Sequence, residues 1–97
     1  MKYKILQLKN SKDVKYSFMG HDYAINNGFS LDDYKLVYEN DINTFGKCID
    51  DILEKLFYIF NIEKPLDFKG HSLSVSDIIE LNNKKYYVDD FGFTKID

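Results

Sequence analysis

The sequence contains no arginine and no tryptophan, and only one cysteine and one proline. Each absence excludes something. Guanidinium groups supply the two-pronged donors that read phosphate and guanine. Without them, and at a net charge of −3, direct nucleic-acid binding is not expected. One thiol, Cys48, cannot form an internal disulfide, and Cys48, His21 and His71 are the only cysteine and histidines. No zinc-type ligand set exists among them, so neither a metal nor a cofactor is expected. No long apolar run is present, and the opening MKYKILQLKNSK is too short and interrupted for a signal peptide or membrane span. The expectation is a cytoplasmic chain with no membrane partner. No repeat, low-complexity tract or linker divides it.

What is there is material for a core. Hydrophobic residues make up 44% of the 97 positions, with eight Phe and eight Tyr. That is too many aromatics for a disordered tail. The length fits one domain, residues 1–97.

Apolar spacing then predicts the elements. KYKILQL (2–8) alternates as a strand, with Tyr3, Ile5 and Gln7 on one side and Lys4, Leu6 and Leu8 on the other. VKYSFMG (14–20) alternates through Val14, Tyr16 and Phe18 and reads as a second strand. HDYAINNGF (21–29) reads as a short helix ended by Asn26, Asn27 and Gly28. YKLVYE (34–39) reads as a strand with Leu36 and Tyr38 opposite Lys35, Val37 and Glu39. In KCIDDILEKLFYIFNI, the residues Ile49, Ile52, Leu53, Leu56, Phe57 and Phe60 form a helical stripe, giving an amphipathic helix over about 47–60. Asn43 or Thr44 could cap it, and it should end near Asn61. IIELNNKKYYVDD closes the chain as a hairpin. Asn82 and Asn83 accept the positive φ angles of a two-residue turn, which places Glu80 opposite Lys85. The predicted fold class is α+β, a mostly antiparallel sheet of four to five strands with one main amphipathic helix and a C-terminal hairpin.

The stretch GHSLSVSD (70–77) gathers a histidine, three serines and an aspartate. A catalytic triad needs such groups to converge. In an extended chain His71 and Asp77 would stand roughly 20 Å apart, at the ~3.3 Å rise of a strand. The hydrolase G-x-S-x-G elbow is absent. The better reading is a polar turn, in which short side chains bond nearby backbone and Ser74 with Asp77 matches a capping box. Asp90-Phe91-Gly92 spells a kinase tripeptide by chance. Its expected role is a bend at Gly92 with Phe91 and Phe93 packing on either side.

DFKGHSLSVSDIIEL and then KKYYVDDFGF closely resemble the YodL-like domain of low-GC Gram-positive bacteria. That family carries a basic-GHSLSVSD-apolar phrase followed by YYVD-x-FGF. YKILQLK and YKLVYE resemble it more loosely. The family has no assigned chemistry, and its members sit among phage, plasmid and conjugative-element genes, often fused to other modules. The resemblance implies an accessory role for a mobile element, here resting on this one small domain.

The combined expectation is a non-catalytic protein-binding protein that inhibits a host defence complex in the anti-CRISPR or antirestriction manner. Its partner would carry a basic surface. The candidate contact residues are Asp32, Asp33, Tyr34, Asp50, Asp51, Glu54, His71, Asp89 and Asp90. Two alternatives stay open. One is a nucleic-acid accessory factor using Lys9, Lys12 and Lys15 or Lys84 and Lys85. The other is a small enzyme centred on His71 and Ser72.

Overall fold

The computed structural model describes residues 1–96. In chain order the elements are β1 (Lys2–Leu8), α1 (His21–Asn26), a single 3-10 turn (Leu31–Asp33), β2 (Tyr34–Asp41), α2 (Ile49–Ile62), β3 (Ile78–Leu81), β4 (Lys84–Val88) and β5 (Phe93–Lys95). The five strands form one sheet in the order β2-β1-β3-β4-β5. Every neighbouring pair is antiparallel.

Two cores lie on opposite faces of this sheet. Tyr3 and Ile5 of β1, Ile79 and Leu81 of β3 and Val88 of β4 meet Ile52, Leu53, Leu56 and Phe60 of α2. Burying each of those helix side chains contributes about 1.5–3 kcal/mol, more than an exposed ion pair at about 0–1 kcal/mol. The apolar stripe, not surface charge, therefore holds α2 down. On the other face Leu8, Tyr34, Ile78 and Tyr87 pack with Tyr16 and Ala24 from the β1–β2 connection.

The hairpin forms as the sequence predicts. Asn82 and Asn83 both take positive φ, 52° and 68°, and Glu80 stands opposite Lys85. Lys85 Nζ lies 3.4 Å from Glu80 Oε1, and Lys4 Nζ lies 3.6 Å from Oε2. Ile79, Leu81, Tyr86 and Val88 share the α2 face.

Four expectations need correction. Residues 14–20 are not a strand but a run of turns. Phe18 takes φ 64°, a left-handed conformation that ends any extended run. Of its three alternating residues only Tyr16 is buried. In β2 the alternation breaks, because Ile5 pairs with Tyr38 while Leu6 pairs with Leu36. Val37 is thus the extra residue of a bulge. Val37 and Tyr38 consequently both pack on the α2 core, and Leu36 is 50% exposed. The α2 helix starts at Ile49 with Cys48 as its cap residue, not at Asn43 or Thr44, and ends at Ile62. Asn43 Oδ1 instead accepts the Phe45 amide at 3.0 Å. Finally, Gly92 (φ 71°) makes a reversal and not a final bend: Asp89 N donates to Gly92 O, and β5 follows. Phe93 packs on the α2 face beside Phe57, with centroids 6.4 Å apart, whereas Phe91 is 95% exposed.

Candidate functional site

The octet 70–77 is not extended, so the wide separation of His71 from Asp77 does not hold. Ser76 takes φ 83°, and the turn at Val75–Ser76 folds the segment back. His71 Nε2 then sits 3.9 Å from Asp77 Oδ1. Gln7 of β1 binds the fold-back together. Its Nε2 donates to the His71 carbonyl at 2.9 Å and to Asp77 Oδ2 at 3.1 Å, and its Oε1 accepts the His71 amide at 3.3 Å. Ser74 N also donates to Asp77 Oδ2, at 2.8 Å, as the capping-box reading expects. A Cβ at Gly70 would collide with Gln7 Oε1 and the Phe68 ring, so glycine there is a condition of the close approach.

The hydroxyls serve backbone. Ser74 Oγ donates to Ser72 O at 3.0 Å, and Ser76 Oγ accepts the Phe18 amide at 3.0 Å. Tyr34, a candidate contact residue, is buried, and its hydroxyl donates to Ser76 O at 2.6 Å. Tyr34 therefore belongs to the core and not to an outer surface. No hydrogen bond joins a serine hydroxyl to the His71 ring among the described residues. Nδ1 lies 2.7 Å from the Ser72 carbonyl and 3.3 Å from Gln7 Nε2, and Nε2 faces Asp77. Both ring nitrogens are turned toward the protein's own acceptors.

Burial pushes the Asp77 carboxyl up to about 6 from its ordinary 3.8. The Ser74 amide, the His71 ring and Gln7 pull the other way without cancelling that.

The remaining candidates fall into separate places. Asp33 accepts the Tyr16 hydroxyl at 2.9 Å, and with Asp32 it borders a shallow groove beside Lys9 and Asn10. Asp89 organises its own turn. It accepts from His21 N at 3.1 Å, Asp90 N at 2.8 Å and Thr94 Oγ1 at 2.6 Å. Burial raises its pKa, but these hydrogen bonds outweigh burial and hold the carboxyl below its usual range.

Glu54, Asp89 and Asp90 do come together. They line a cleft of about 180 Å³ between α2 and the β4–β5 turn, with Phe57, Val75, Val88 and Phe93 supplying apolar wall. Asp50 and Asp51 precede Glu54 on α2 by four and three residues, so they extend the same flank of the helix. Five of the nine candidates thus border one acidic region, and Asp32, Asp33, Tyr34 and His71 do not. No three His, Cys, Asp or Glu side chains among the described residues are placed to hold a metal ion. No described helix is long and apolar enough to cross a membrane.

Sequence reasoning missed Gln7 as the organiser of the octet. The available signal was a lone amide on the apolar side of β1, next to Tyr3 and Ile5. A polar residue in that position needs buried partners.

The architecture is that of a small α+β domain built on one antiparallel sheet. Within that class the chain belongs to the YodL-like domain family, whose model matches residues 2–97. No curated protein and no solved structure matches the chain.

Proposed function

We propose that this domain works by contact and not by catalysis, through the acidic cleft between α2 and the β4–β5 turn. The observation that carries this reading is a convergence. Val75 of GHSLSVSD and Val88, Asp89, Asp90, Gly92 and Phe93 of YYVDDFGF line the same cleft as Glu54 and Phe57 of α2. An apolar wall with Glu54 beside it, and with the Asp89 and Asp90 carboxylates turned toward His21 and Gly20 at its rim, suits the long stem and cationic head of a lysine or arginine side chain. Phe57, at 36% exposure, adds an aromatic ring to that wall.

The partner is then a protein with a basic surface. For a gene product of a phage or mobile element, a host defence complex that handles nucleic acid is the natural example. Occupying its cationic groove would inhibit it, as anti-CRISPR and antirestriction proteins do. The nucleic-acid alternative is weaker because the lysines it needs are dispersed: Lys85 is tied to Glu80, and Lys9, Lys12 and Lys15 flank Asp13. The enzyme alternative is weaker because no serine hydroxyl bonds the His71 ring among the described residues.

The test is affinity capture at low salt from an extract of a related bacterium. Wild-type bait is compared with Glu54→Lys/Asp90→Lys bait. A protein retained by the first and lost from the second supports the reading. Equal retention by both, or no retained protein, counts against it.

A further inference from the structure

A second cleft, of about 400 Å³, lies at the opposite edge of the sheet and has the opposite sign. Lys35, Leu36 and Val37 of β2 form one wall, and Lys69, Gly70 and His71 form the other. No carboxylate among the described residues lines it. Lys35 and Lys69 have no ion-pair partner among the described residues, in a chain whose net charge is −3.

The walls are held in place. Lys35 pairs with Gln7 across the β1–β2 ladder, so the two side chains leave the sheet on the same face. Gln7 is 2% exposed and grips His71 through both its carbonyl and its amide. The contact between Gly70 and Gln7 leaves no room for a side chain, which fixes the backbone beside Lys69.

The cleft is also open along its length. β2 is an edge strand, and among the described residues no backbone hydrogen bond of residues 35–40 runs to any segment other than β1. An unpaired edge beside a groove is a template for an extended chain. Val37, half-buried on the same face as Lys35, offers apolar surface in the cleft.

We propose that this cleft receives an extended acidic segment of a partner protein, its carboxylates on Lys35 and Lys69 and an apolar side chain against Val37. A phosphodiester chain fits less well, since the site has no guanidinium to grip its phosphates in a two-pronged way. The site is independent of the acidic cleft, and either could fail without the other.

The test uses the full chain, labelled with nitrogen-15, and three probes: a short peptide alternating glutamate and leucine, its glutamine counterpart, and an oligothymidylate of equal charge. The expected result is amide shifts confined to residues 34–38 and 68–72 with the glutamate peptide. Affinity should fall by at least roughly tenfold with the glutamine peptide and with Lys35→Glu/Lys69→Glu. Both lysines are exposed, so the variant should fold, which circular dichroism checks. Lys84→Glu/Lys95→Glu, away from the cleft, should bind like wild type. Shifts spread over all lysine-bearing segments, no shifts there at millimolar peptide, or tighter binding of oligothymidylate to the same amides would each overturn the proposal.

Discussion

The two faces of the sheet are covered by unlike material. One carries a single helix of fourteen residues, whose Ile52, Leu53, Leu56 and Phe60 seal an aliphatic and aromatic core. The other carries turns and one short helix, and its core is built largely from tyrosines with engaged hydroxyls. Tyr16 donates to Asp33, Tyr34 to Ser76 O and Tyr87 to Met19 O. Burial raises the pKa of all three phenols, so they stay protonated donors across ordinary pH. The helix face is held by area removed from water and the loop face by area plus directed bonds. An irregular cover has no ladder of its own, so side-chain donors must anchor it.

This contrast can be broken from either side. On the helix face, Leu56→Ala should cost about 2–5 kcal/mol in urea unfolding. That is a large share of the roughly 5–15 kcal/mol typical of a domain. On the loop face, Tyr34→Phe keeps the ring but strips the buried Ser76 carbonyl of its donor, and should cost about 1–3 kcal/mol. A cost for Tyr34→Phe near zero would mean that the hydroxyl bonds do not anchor that cover.

Asp77, at the junction of the octet and β3, gives a pH signature of similar size. Its folded-state pKa lies above the unfolded value, so the folded chain holds the proton more tightly. The stabilising contribution is fully present below about 3.8 and is lost as pH rises through about 6. Relative to Asp77→Asn, wild type should lose on the order of 2–3 kcal/mol between pH 3.5 and 7. Unfolding curves of both proteins at several pH values check this, and parallel profiles would contradict it.

Smaller still is the Glu80–Lys85 pair at the hairpin. Lys85→Met should change stability by about 0.2–1 kcal/mol, and less at high salt. Smallest is charge reversal at the acidic cleft. Glu54→Lys/Asp90→Lys should leave stability within about 0.5 kcal/mol per site, because neither side chain forms an ion pair or a side-chain hydrogen bond among the described residues.

The same contrast explains what the sequence makes legible. Helix α2 and the β3–β4 hairpin announce themselves, because a 3.6-residue stripe and an Asn-Asn turn are local signals. The loop face does not. Tyr16 alternates with Val14 and Phe18 as a strand residue would, yet its burial comes from Phe29, Tyr34 and Tyr87. Those residues are distant in sequence. The β2 bulge at Val37 is invisible for the same reason, since a bulge is a property of a pair of strands. Residue type names Glu54, Asp89 and Asp90 only as candidates, and folding is what places them around one cleft. Tyr34 is a contact candidate by residue type alone, and only the fold buries it with its hydroxyl on Ser76 O.

The most direct measurement is the paired capture with wild-type, Glu54→Lys/Asp90→Lys and His71→Ala baits, each checked for folding. A domain that acts by surface contact retains the same partner with wild-type and His71→Ala baits and loses it with the charge-reversed one. Retention that survives charge reversal, joined to a loss of biological effect with His71→Ala, would contradict the account and return the imidazole to the centre of function.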